Sequence, residues 1–139
     1  RKSANVEILI EIADGLPLFQ LDVGLMDQIM DNLLTNAVQY GTSHPVIRIE
    51  LGMNREQLQI LLSDNGPGFP QEYIPYVFDK FYRLPATKAG GTGLGLSIVK
   101  GYVAAHQGSI NLINLPTRGS QFSILIPAVT SYINLLKHE

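Results

Sequence analysis

Apolar positions along this chain keep two spacings, one of alternate residues and one of every third or fourth, and the two succeed each other in order. Val6-Glu7-Ile8-Leu9-Ile10-Glu11-Ile12 is apolar and mostly β-branched, interrupted by two carboxylates, and it stops at Asp14-Gly15. That pattern predicts a first strand. Across residues 25–40, apolar side chains fall at 26, 29, 30, 33, 34 and 37, the spacing of one helix face. Asp22 is placed to cap or precede this helix and Gly41 to end it. Residues 46–53 and 57–63 alternate as two strands of a hairpin that turns near Asn54-Arg55-Glu56. Residues 71–83 are irregular and predict a short helix containing Pro75, and 84–93, rich in Pro, Gly, Ala and Thr, predict a mobile loop. Helical period returns over 94–106 through Leu94, Ile98, Tyr102 and Ala105. Residues 109–115 and 121–126 predict a last strand pair around a turn at 116–120, and 128–139 a short helix or tail. This succession fits one α+β domain over 1–139, with its core at about 6–127 and helices on one face of a mixed, mostly antiparallel sheet.

Composition narrows the chemistry. At 139 residues, with 45% hydrophobic and 16% charged residues, the chain is long enough for its own core. A formal charge of −2 gives no basic field, so neither nucleic acid nor an anionic membrane is an expected partner. The absence of Cys excludes disulfides and thiolate metal sites, and three scattered His do not form a zinc site. No apolar run approaches the roughly 20 residues of a membrane span. The opening residues lack a leader pattern and are expected to continue a longer protein.

Four short blocks carry the candidate chemistry: Asp31-Asn32-Leu33-Leu34-Thr35-Asn36-Ala37, Asp64-Asn65-Gly66-Pro67-Gly68-Phe69, Phe78-Asp79-Lys80-Phe81-Tyr82-Arg83, and Gly91-Thr92-Gly93-Leu94-Gly95-Leu96. At about 100° per residue, Asn32, Asn36 and Gln39 fall within an arc of about 60°, beside the apolar stripe of Ile29, Leu33 and Ala37. Amide oxygens are hard, neutral ligands suited to Mg²⁺, and unlike carboxylates they do not repel a triphosphate. The simpler reading makes them the solvated side of an amphipathic helix.

Asp64 ends an apolar strand just before a glycine turn. An ionised carboxylate only accepts hydrogen bonds, so it suits the exocyclic amine of adenine and repels the oxygen that guanine places there. Gly66 and Gly68 permit a tight turn and close approach to a flat ligand. An ordinary Asx turn predicts the same residues. Gly91, Gly93 and Gly95, with Thr92, Leu94 and Leu96, lead into the second long helix, whose first amides are suited to phosphate. The block is neither a P-loop nor a dinucleotide fingerprint. Phe78, Phe81 and Tyr82 are expected to pin the base of the loop, and Arg83 and Lys88 are the cations nearest a γ-phosphate; surface charge is the plain alternative for both.

Composition, order and separation of these blocks resemble the N, G1, F and G2 boxes of the catalytic ATP-binding domain of two-component sensor histidine kinases, within the GHKL superfamily. The likeness runs from about Val6 to Pro127. It implies the two-layer α/β sandwich called the Bergerat fold, with ATP and Mg²⁺ as cofactors. By the same resemblance Asn36 binds Mg²⁺, Asn32 supports it and contacts phosphate, and Asp64 binds the adenine amine. Gly66, Gly68 and Phe69 shape the base site and Tyr40 lines it. Gly91, Gly93 and Gly95 hinge the ATP lid, and Arg83 reaches the γ-phosphate. Gly119-Ser120-x-Phe122 is similar to the element behind the adenine.

Two positions depart from the family pattern: Gln39 stands where many members have a phosphate-directed Lys, and Gln107 where Gly often follows the His. His44, His106 and His138 sit in no phosphoacceptor motif, so the chain resembles the catalytic half only. The implied partners are a dimerising, phosphoacceptor helical domain of the same parent and, indirectly, a response regulator. The isolated fragment is expected to be a monomer, cytoplasmic, and part of a membrane-bound bacterial sensor kinase. Residues 84–91, Lys100-Gly101-Tyr102 and the 114–119 turn look most like KdpD-type kinases. A degenerate nucleotide-sensing or docking module, and an anti-sigma-type serine kinase of the same superfamily, are the alternatives.

Overall fold

The computed structural model describes residues 5–39, 42–80 and 95–127. Their elements follow the expected order: β1 (Glu7–Ile12), α1 (Val23–Gln39), β2 (Val46–Asn54), β3 (Gln57–Asp64), a short 3₁₀ helix (Gln71–Tyr76), α2 (Gly95–Ala105), β4 (Ser109–Asn114) and β5 (Ser120–Pro127). The expected tail at 128–139 and the loop at 84–93 lie outside the described residues.

The five strands form one sheet in the order β1-β2-β3-β5-β4. Only β1 and β2 run parallel; the other three pairings are antiparallel. The parallel pair needs a long crossover, which α1 supplies. Placing β5 between β3 and β4 lets the chain end of β3 meet the start of β5 at one edge of the sheet.

Alternation in the central strands is strict. Leu58, Ile60 and Leu62 of β3 and Phe122, Ile124 and Ile126 of β5 are all nearly fully buried, and Gln57, Gln59 and Ser63 face the other way. The helices cover the apolar face with Ile29, Leu33 and Ala37 of α1 and Val99 and Val103 of α2. Burying each large aliphatic side chain contributes about 1.5–3 kcal/mol, so this shared layer fixes both helices against the sheet. Among the described residues, no helix is long and apolar enough to cross a membrane.

Local signals set the helix ends. The backbone N–H of Leu25 donates to Asp22 Oδ1 at 3.0 Å, the capping role expected of Asp22. After α2, Gln107 takes a left-handed conformation (φ 61°), and Gly108 N–H returns to the Val103 carbonyl at 3.0 Å. Left-handed backbone favours glycine, so Gln107, the departure noted above, sits where a side chain carries a conformational cost.

Candidate functional site

Asp64 closes β3 opposite Ile47, and it is hydrogen-bonded through both carboxylate oxygens. Gly66 N–H donates to Oδ1 at 2.7 Å, and Ser120 Oγ, at the start of β5, donates to Oδ2 at 2.8 Å. The Gly66 bond is the Asx turn considered from sequence. It does not compete with a ligand, because each carboxylate oxygen keeps a second lone pair. Asp64 is therefore a half-buried acceptor held in one orientation.

The turn that supports it has no room for a side chain at position 119. Gly119 adopts φ 96°, and a Cβ built on it would collide with the Asp64 carbonyl oxygen. Arg118 Nε donates to the Asn65 carbonyl at 2.9 Å, tying the β4–β5 turn to the loop after β3. Asn65 in turn accepts from Val46 N–H at 2.9 Å and donates to the His44 carbonyl at 3.3 Å. Phe69 stacks edge-on against Phe122 at 6.3 Å, and Phe78 does the same at 6.2 Å, which packs it on the core; the loop it is expected to pin lies outside the described residues.

Facing this assembly is α1. Asn36, Ala37, Asp64, Pro67, Gly68, Phe69 and Ser120 line one small cleft of about 20 Å³, open on one side. Asn36 and Asp64 thus share a cavity, although 28 positions separate them in sequence. Among the described residues, the Asn36 side-chain amide makes no hydrogen bond, and Asn36 lines the cleft. An amide oxygen is a fitting donor for Mg²⁺, which takes few protein ligands and leaves its other positions to phosphate and water. No group of three or more His, Cys, Asp or Glu among the described residues is arranged to hold a metal by itself.

Asn32, one turn earlier on the helix, points elsewhere. Its Nδ2 donates to the Gln28 carbonyl at 2.8 Å, and its Oδ1 lies 3.3 Å from the position of a Cβ on Gly95. That closeness sets it beside the first residue of α2, where helix amides favour an anion. Leu96 is half-buried against the core, and Gln39 is exposed at the end of α1. Tyr40, Phe81, Arg83, Lys88, Gly91, Thr92, Gly93 and Leu94 lie outside the described residues.

Four contributors went unrecognised in the sequence. Ala37 and Pro67 line the cleft, and Asn114 grips the loop behind it. His106 accepts the Asp22 N–H through Nε2 at 3.0 Å, while Nδ1 meets the Tyr102 carbonyl at 2.9 Å. This pairing requires the proton on Nδ1 and fastens the end of α2 to the start of α1. Sequence spacing carries no signal for the Asn114 and His106–Asp22 contacts, since each spans distant segments.

Comparison with known proteins gives the same answer as the geometry. Residues 21–130 match the family described as histidine kinase-, DNA gyrase B- and HSP90-like ATPase. The chain is 33% identical over 131 residues to the sensor histidine kinase WalK of Bacillus subtilis, covering 91% of this chain and 21% of that protein. To the sensor protein KdpD of Escherichia coli it is 36% identical over 125 residues, covering 89% of this chain and 14% of that protein. A solved catalytic domain of histidine kinase ThkA superimposes with a TM-score of 0.77 at 27% identity, covering 89% of this chain and 80% of that one. The chain thus spans about a fifth of one of these curated relatives, about a seventh of the other, and most of an isolated catalytic domain. The cleft that joins Asn36 to Asp64 belongs to a member of the histidine kinase-, DNA gyrase B- and HSP90-like ATPase family, and this chain is a catalytic domain of its histidine-kinase type.

Proposed function

We propose that this domain binds Mg-ATP and presents the γ-phosphate to a histidine on a separate helical domain of its parent, in two-component signal transduction. The observation that carries the reading is the one cleft lined both by Asn36, whose amide makes no hydrogen bond among the described residues, and by Asp64, an oriented carboxylate. Asp64 accepts the adenine amine, and its fixed orientation rejects guanine, because that base would leave the acceptor facing an oxygen. The Pro67–Phe69 wall lies against the flat ring. Asn36 supplies the protein oxygen for Mg²⁺, which when bound offsets the charge of the phosphates.

Transfer itself breaks the bond from the γ-phosphorus to its bridging oxygen and forms one to an imidazole nitrogen. ADP leaves and the imidazole proton is released. Alignment and charge neutralisation dominate such a step, and Arg83 is the residue we assign to the charge on the γ-phosphate. Position 32 is Asn, which has no base function toward an attacking water. That favours an acceptor protein over hydrolysis, and so little turnover by the domain alone. The phosphorylated histidine would supply a response regulator, and the domain would sit on the cytoplasmic side of a membrane-bound bacterial sensor kinase. A KdpD-type assignment is not favoured over other subtypes, because the identities to KdpD and WalK differ little.

Calorimetric titration of the chain with ATP and GTP, with and without Mg²⁺, tests the reading. ATP should bind, Mg²⁺ should tighten it, and GTP should bind much more weakly. Equal affinity for the two purines would remove Asp64 from its role. Offering a helical acceptor fragment bearing a histidine, beside an anti-anti-sigma protein bearing a serine, then identifies the phosphate acceptor.

A further inference from the structure

The geometry points to Asn114 as the positioning residue for purine recognition: it holds the wall of the cleft at a fixed distance from Asp64 while touching no ligand itself. The inference rests on the adenine reading of Asp64. Asn114 is the last residue of β4, and its side chain meets the backbone of Phe69, 45 positions earlier, twice over. Oδ1 accepts the Phe69 N–H at 2.9 Å, and Nδ2 donates to the Phe69 carbonyl at 2.7 Å. The amide therefore replaces a neighbouring strand, satisfying both backbone groups of one residue as a peptide unit would. A further contact from Nδ2 to Gln71 Oε1 at 3.3 Å fixes the amide's orientation.

Two features connect this clamp to the cleft. Gly68, which lines it, has φ 84°, and a Cβ there would stand 2.7 Å from Asn114 Oδ1. Asn114 thus fills the space directly behind the wall, and it is not among the residues lining the cleft. The second feature is register. Asn114 is paired with Ser120 across β4 and β5, and Ser120 Oγ donates to Asp64 Oδ2. One rung of the sheet holds the carboxylate with one residue and the facing wall with the other. A flat base needs van der Waals contact with the wall and hydrogen-bond contact with the acid at once, and this rung sets both.

Only an amide of this length suits the position. A carboxylate would place an acceptor against the Phe69 carbonyl, and an aliphatic side chain would leave both backbone groups without their partner. Two variants of the full chain test the assignment, Asn114→Leu and Asn114→Asp, by titration with ATP and with GTP in the presence of Mg²⁺. Asn114→Leu should weaken ATP binding about tenfold or more and narrow the preference for ATP over GTP. Asn114→Asp should show the same loss at about pH 8 and recover as pH falls toward about 5.5.

The sign follows from the contact. The Phe69 carbonyl disfavours the charged form of the new carboxyl, so its pKa is raised. Below that pKa the group regains a donor and matches the original amide, and above it the match is lost. Wild type measured over the same range should show no such recovery, and each variant is read against it at each pH. A loss that is independent of pH, or variants with wild-type affinity and base preference, would overturn the assignment while leaving the nucleotide reading intact. A wild-type chain that binds no ATP would overturn the nucleotide reading itself, and this inference with it.

Discussion

Where the proposed base end of the cleft gathers side chains and turns from β3, β4 and β5, the described part of the proposed cation end is one face of α1. Asp64 is held by Ser120 and Gly66, the facing wall by Asn114, and the turn beneath by Arg118 and Gly119. Asn36, by contrast, brings an amide that makes no hydrogen bond among the described residues, and Gln39 at the end of the same helix is exposed. Among the described residues, hydrogen bonds hold Asp64 at the proposed base end and none holds the Asn36 amide at the proposed cation end. The difference suits the tasks. Choosing between bases needs an acceptor that cannot turn away, whereas a hydrated cation carrying phosphates brings most of its own ligands.

If that contrast is right, damage at the base end should cost stability as well as binding, and damage at the cation end should cost binding only. The largest effect is expected from Gly119→Ala. Its added carbon meets the Asp64 carbonyl in a left-handed conformation, so a loss of about 3–5 kcal/mol should appear as a marked fall in the thermal unfolding midpoint. A variant that melts like wild type would break the contrast outright.

Next comes Asp64→Asn. With its oxygen retained by Gly66 N–H, the new amide turns its N–H₂ toward the adenine amine, donor against donor. ATP affinity should fall by roughly ten- to a hundredfold, about 1.5–3 kcal/mol, as read by calorimetry. Asn36→Ala should remove only the Mg²⁺-dependent increment, leaving Mg²⁺-free ATP binding and the melting temperature close to wild type. A large stability loss there would show the cation end to be structural after all. The smallest effect belongs to Gln39→Lys, where an exposed added cation should tighten ATP by less than about fivefold and lose that gain at high salt.

Much of the fold was legible before any coordinates. The apolar spacing in α1, the Asp22 cap, both hairpins and the order of elements follow from contacts between residues near in sequence, which is what periodicity reports. Asn36 and Asp64, which meet in the cleft, were legible as candidates as well, because an amide and a carboxylate carry their preferences in their atoms. The clamp of Asn114 on Phe69, the bond from Arg118 to Asn65 and the clasp of His106 on Asp22 were not. Each joins segments that only the sheet order brings together.

β1 makes the limit plain. Ile8, Ile10 and Ile12 alternate as Leu58, Ile60 and Leu62 do, and in parallel register they stand beside Ile47, Ile49 and Leu51 on the helix-facing side. Yet the first set is 46%, 61% and 60% exposed and the second 5%, 3% and 1%. Alternation marks a strand with one apolar face; it carries no information on whether a helix lies over that face. β1 is an edge strand beyond the cover of α1 and α2, and β3 runs beneath them.

The sequence by itself supplied the groups we propose for a nucleotide, an amide for a cation and an acid for a purine. Tertiary structure decided that they meet, how far apart they stand and which are held still. Local chemistry is written in a residue's own atoms and immediate neighbours, whereas convergence depends on strand order and register, which arise only when the whole chain buries its core.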